Sequence, residues 1–64
     1  MKNQIGIKIK RFRKLQGIKV AELAKKSGLS RFTIYRIENG ERNVTIQSLK
    51  KISKALDVPI HTFF

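Results

Sequence analysis

The stretch Val20-Ala21-Glu22-Leu23-Ala24-Lys25-Lys26-Ser27-Gly28-Leu29-Ser30-Arg31-Phe32-Thr33-Ile34-Tyr35-Arg36-Ile37-Glu38-Asn39 decides the fold. Val20, Leu23, Ala24 and Ser27 recur at the spacing of one helical face. Gly28 stops that face, and Ser30 then serves as an N-cap, its hydroxyl accepting from a first-turn backbone N–H. The helix that follows turns Ile34 and Ile37 inward and ends at Asn39-Gly40. Two short helices joined by a tight turn containing Gly make a helix-turn-helix. Ala24 is small enough for the helices to cross closely, and Gly28 tolerates the positive φ of the turn. An αα-hairpin of any function could share this pattern, so the outward face decides what the hairpin is for.

At about 100° per residue, Phe32, Tyr35, Arg36 and Asn39 fall on one arc opposite Ile34 and Ile37. Arg31 sits in the first turn, at the end of a helix that would enter a groove. Arginine donates two parallel hydrogen bonds to guanine O6 and N7, and an apolar ring packs against a thymine methyl. Tyr35 and Asn39 can donate to phosphate oxygens. The plainer account is a solvated helix face, but solvation does not explain an outward Phe32 between Arg31 and Arg36.

Outside the hairpin, Ile5, Ile9 and Phe12 recur at i, i+4 and i+7, and Gly17 closes that helix. The alternation Ile5-Gly6-Ile7-Lys8-Ile9-Lys10 would suit a strand, but Phe12 breaks it and continues the helical stripe. After the polar loop Glu41-Arg42-Asn43-Val44, Thr45 reads as another N-cap. Leu49, Ile52, Ser53 and Leu56 form the inner face of the helix it starts. Pro59 suits the first turn of a brief last helix reaching Phe63-Phe64. The expectation is an all-α, compact five-helix domain over residues 1–64, with its helix-turn-helix at 20–39.

Composition narrows the function. A chain of 64 residues allows one domain, so a separate ligand-sensing or dimerisation domain is not expected within it. Fifteen Lys and Arg against four acids give a net charge of +11, a field that draws polyanions. Yet 41% of the residues are hydrophobic, too many for a disordered basic tail. Without cysteine there are neither disulfides nor thiolate chemistry, and the lone His61 has no second ligand nearby, so no metal and no cofactor are expected. No apolar run is long enough to span a bilayer, and no export signal precedes the basic N-terminal stretch, which favours the cytoplasm. Lys2, Lys8, Lys10, Arg11, Arg13, Lys14 and Lys19 face no acid within the first nineteen residues. Lys50, Lys51 and Lys54 lie on the polar side of the fourth helix, where solvation accounts for them.

Taken together, these residues resemble the Cro/cI-type helix-turn-helix regulators, the Xre family, along nearly the whole chain. Ile5 to Arg13 is similar to the family's first helix. Glu22-Leu23-Ala24 with Ser27-Gly28-Leu29-Ser30 resembles the core of its helix-turn-helix, and Thr33 to Gly40 its recognition helix and exit. Ala55-Leu56-Asp57-Val58-Pro59 and the Phe63-Phe64 ending resemble its closing helices. Ile46-Gln47-Ser48-Leu49 and His61-Thr62-Phe63 look most like the DNA-binding half of SinR-type repressors. The resemblance implies that Arg13 and Glu38 pair across the first and third helices. The chain departs from the family in two places. Lys19-Val20 stands where Ser or Thr followed by Gln often begins the second helix, and Val44 stands where Pro is common. The missing N-cap costs that helix about 1 kcal/mol, and Lys19 replaces the phosphate-binding Gln as a point charge.

The expected function is a sequence-specific double-stranded DNA-binding regulator, a repressor that occupies an inverted-repeat operator as a homodimer. Arg31, Phe32, Thr33 and Arg36 are the expected base contacts. Lys19, Ser30, Tyr35, Asn39, Arg42 and Asn43 are the expected phosphate contacts. Ile60, Phe63 and Phe64 either cap the core or form a two-fold dimer face. The alternative is a protein-binding module, such as an antitoxin or a regulator's antagonist, on the same fold. A membrane-active cationic peptide fits poorly, because such a peptide does not need the tight turns at Gly28 and Asn39-Gly40. An enzyme fits least, since no acid pair, nucleophile–base set or phosphate loop is present. No small-molecule ligand is expected.

Overall fold

The computed structural model describes residues 4–40 and 44–63. They form four α-helices and one 3-10 turn: α1 (Gln4–Leu15), α2 (Val20–Ser27), α3 (Arg31–Glu38), α4 (Ile46–Leu56) and the turn Ile60–Phe63. The strand alternative at Ile5–Lys10 is absent, because Ile9 and Gly6 face inward at helical spacing while Ile7 and Lys10 face out.

Each helix end has a local cause. The chain leaves α1 through Gly17 at φ 68°, with Gly17 N–H donating to the Lys14 carbonyl and Ile18 N–H to that of Arg13. The N-cap of α2 is Lys19, whose side chain makes no capping bond. Ser30 Oγ caps α3 by accepting from Thr33 N–H at 3.1 Å, and Thr45 Oγ1 caps α4 by accepting from Ser48 N–H at 3.1 Å. Asp57 ends α4 in the left-handed region at φ 58°.

The stripes meet in one core. Ile9 from α1, Leu23 and Ala24 from α2, Ile34 and Ile37 from α3, and Leu49, Ile52 and Leu56 from α4 are all buried. Ile18 and Val20 close it between α1 and α2. The middle helix α2 packs on α3 and α4, while α1 crosses α3 and the 3-10 turn bridges α1 and α4.

The C-terminal segment makes two expectations more definite. The fifth helix is a single 3-10 turn, closed by Thr62 N–H donating to the Pro59 carbonyl at 3.0 Å. Pro59 disfavours the α region for Val58 before it, and short runs settle into i→i+3 bonding. Of the two alternatives for Phe63, the structure shows the core cap: it is 1% exposed, and its ring meets Phe12 edge-on at 6.1 Å. Its apolar area fills the gap between α1 and α4, which a surface position would leave empty. Ile60 is half-buried against the same core, and Phe64 lies outside the described residues.

Candidate nucleic-acid interface

The presented face begins with the turn between α2 and α3. Gly28 takes φ 77°, and both its N–H and that of Leu29 donate to the Ala24 carbonyl, at 2.9 and 3.1 Å. Ser27 Oγ bonds the same carbonyl at 3.3 Å. Leu29 packs against the core, so the turn is anchored at its middle. Ser30 and Thr33 hydroxyls lie 2.9 Å apart, joining the cap to the first turn of α3.

From behind, α3 is held by more than Ile34 and Ile37. Arg13 grips Glu38 with two bonds, Nε to Oε2 at 2.7 Å and Nη2 to Oε1 at 3.1 Å. Its Nη1 donates to the Ile18 carbonyl at 2.9 Å. The guanidinium therefore ties the end of α3 to α1 and to the α1–α2 loop. Both side chains are nearly buried, 11% and 5% exposed, and forked charge-assisted bonds of this kind have fixed geometry. Among the described residues no buried side-chain nitrogen or oxygen lacks a partner.

Gly6 supplies a second brace. A Cβ at this position would run into the Ile37 carbonyl, so α1 touches the backbone of α3 there. This role has a weak signal in sequence, a lone Gly inside a helical stripe, which marks close packing only once its neighbour is known. Gln16 was also unforeseen: its Nε2 donates to the Leu56 carbonyl at 2.6 Å and satisfies the C-terminus of α4.

On the outer face, Arg31, Phe32, Tyr35, Arg36 and Asn39 are exposed together, and Thr33 is half-buried beside them. Phe32 is 68% and Tyr35 53% exposed, large apolar surfaces set among cations. The Arg36 guanidinium carbon stands 5.4 Å from the Phe32 ring centroid. The spacing of four residues hinted at this contact, but side-chain direction had to show it. Lys19 and Ser30 are exposed at the N-terminal ends of α2 and α3. Arg42 and Asn43, expected to clamp phosphate, lie outside the described residues. Glu22 and Lys26 pair at 3.4 Å on the exposed side of α2. No His, Cys, Asp or Glu group among the described residues could hold a metal ion. Among those residues, no helix is long and apolar enough to cross a membrane.

A short capped helix, braced from behind and presenting arginines and aromatics, defines a helix-turn-helix domain. A helix-turn-helix family model matches residues 9–63, and the chain belongs to that family, of the Xre (Cro/cI) type, whose members are transcriptional regulators rather than enzymes. The HTH-type transcriptional regulator SinR of Bacillus subtilis is 44% identical over 59 residues, covering 91% of this chain and 53% of SinR. The chain thus spans about half the length of that relative. The crystal structure of SinR in complex with DNA superposes with a TM-score of 0.87 at 42% identity, covering 92% of this chain and 95% of that one. The restriction-modification controller protein C.AhdI from Aeromonas hydrophila gives a TM-score of 0.92 at 31% identity, covering 97% and 94%.

Proposed function

We propose that this chain is a sequence-specific double-stranded DNA-binding transcriptional regulator, a repressor acting on an inverted-repeat operator as a homodimer. The observation that carries this is the face of α3: Arg31, Phe32 and Arg36 stand exposed on a helix braced by Gly6 and the Arg13–Glu38 pair. SinR, crystallised with DNA on the same fold, supports it.

Arg31, Phe32, Thr33 and Arg36 discriminate bases in the major groove, where each base pair presents its own donor and acceptor pattern. Lys19, Ser30, Tyr35, Asn39, Arg42 and Asn43 hold the backbone and set register. A lysine at the uncapped start of α2 is unfavourable for the helix on its own, since positive charge there opposes the macrodipole. A phosphate placed between Lys19 and the open first-turn N–H groups relieves both. Two copies would set their α3 helices in adjacent major grooves about 34–36 Å apart. Ile60 and Phe64 are the candidate contacts between copies. Working on DNA, the protein acts in the cytoplasm, without cofactor.

The test is selection of random duplexes by the purified chain at moderate salt. An enriched inverted repeat with half-site centres about 10 base pairs apart is the expected result. A single half-site would remove the dimer from the proposal. A second outcome is favoured by the exposed Phe32 and Tyr35: with no duplex enriched at any salt, the face serves a protein partner.

A further inference from the structure

Phe32 and Arg36 are both exposed on α3, yet they are not independent of each other. The guanidinium carbon of Arg36 lies 5.4 Å from the centre of the Phe32 ring, within the range of a cation–π contact. Phe32 is 68% exposed, so its ring can support the cation on one side and still meet a ligand. Ser30 fixes the first turn beneath Phe32 through its bond to Thr33 N–H. Ile34 and Ile37, fully or nearly buried between the two outer residues and beyond them, prevent the helix from rolling.

Adjacent bases on one strand are separated by about 3.4 Å along the helix axis. Groups in contact at 5.4 Å span between one and two such steps, so the two side chains reach bases within a step or two of each other. The cation seeks guanine O6 and N7, whereas the ring edge seeks an apolar group, which in the major groove is a pyrimidine 5-methyl. Holding the guanidinium against the ring before docking also removes rotamer freedom that binding would otherwise have to freeze.

We infer that Phe32 and Arg36 form one reader that takes a guanine together with the 5-methylpyrimidine beside it. Phe32 is thus a positioning residue for Arg36 as well as a contact to the methyl group. The inference rests on the DNA-binding function proposed above and deepens it: the two side chains specify a single dinucleotide step, and binding responds to a 5-methyl group at that step.

The test uses the full chain and the duplex returned by random selection. Three duplexes are compared: the selected one, one with deoxyuridine replacing the thymine of the step, and one with the guanine pair replaced by an adenine pair. Each is titrated with the parent chain, Phe32→Leu, Phe32→Ala, Arg36→Ala and the Phe32→Ala/Arg36→Ala pair, after thermal melts establish that each is folded. The parent should prefer guanine by about tenfold or more and lose about threefold on deoxyuridine. Phe32→Ala should reduce the guanine preference to below about threefold although the arginine is intact. Phe32→Leu should keep the deoxyuridine penalty while losing guanine preference, because leucine meets a methyl but does not hold a cation. On guanine preference the double substitution should add little to Arg36→Ala, while it also removes the deoxyuridine penalty. An unchanged guanine preference in Phe32→Ala, or methyl and guanine sensitivity at separated positions, overturns the paired reader alone. If the parent enriches no duplex, DNA binding and the paired reader fall together.

Discussion

At the residue scale, Gly6 and Arg36 illustrate two different kinds of requirement. Gly6 faces the Ile37 carbonyl so closely that even a methyl group must push α1 away from α3. Gly6→Ala should gain helix propensity and still lose about 1–3 kcal/mol by overpacking, read in a urea titration. An equal or higher midpoint would show that the helices separate freely. Arg36, by contrast, is exposed, and the proposed function assigns it to base recognition. Arg36→Ala should leave the melt nearly unchanged and cost about 1–3 kcal/mol at one base position, relaxing specificity there. Arg42→Ala should instead weaken all sequences about equally. Identical effects of the two on selected and random duplexes would show that the division between base and phosphate contacts is misplaced.

At the element scale, the Arg13–Glu38 pair joins three parts of the chain, because the guanidinium also binds the Ile18 carbonyl. Glu38→Ala strands a buried cation and should destabilise by about 3–5 kcal/mol, whereas replacing both partners with apolar residues should cost far less. Comparison of the single and double variants by chemical denaturation distinguishes a pairing effect from one of volume. At the start of α2, Lys19 offers no side-chain cap. Lys19→Ser should stabilise the chain by about 1 kcal/mol while lowering DNA affinity and reducing the salt slope by about one unit. A stabilised variant with parental DNA affinity would exclude Lys19 from the phosphate contacts.

For the whole molecule, the excess of cations matters more than any single contact. A net charge of +11 on 64 residues gives long-range attraction to a polyanion and makes affinity depend steeply on salt. With six or more phosphates engaged by a dimer, affinity should fall roughly 10³-fold between 50 and 200 mM monovalent salt. A shallow slope in a fluorescence titration would point to binding dominated by base contacts. The same charge works against folding through self-repulsion, so the core of Ile9, Leu23, Ile34, Leu49, Ile52, Leu56 and Phe63 must outweigh it in a very small volume. Phe63 has its place inside, as part of that core.

The helices, the Gly28 turn, the caps at Ser30 and Thr45 and the outward arc of Phe32, Tyr35, Arg36 and Asn39 follow from the sequence by itself. Each depends on residues within a turn or two of one another, and a helix of regular pitch converts their spacing directly into direction. The resemblance to the Xre family also singled out Arg13 and Glu38 from among many charged residues. Only the tertiary structure decided that Gly6 abuts α3, that Gln16 caps α4, that Phe63 turns inward onto Phe12 and that the last helix is a 3-10 turn. These depend on which surfaces meet across the chain, and apolar or polar character states only that a residue seeks a partner. The partner is chosen by close packing, which fills the space between α1 and α4 with whichever ring reaches it.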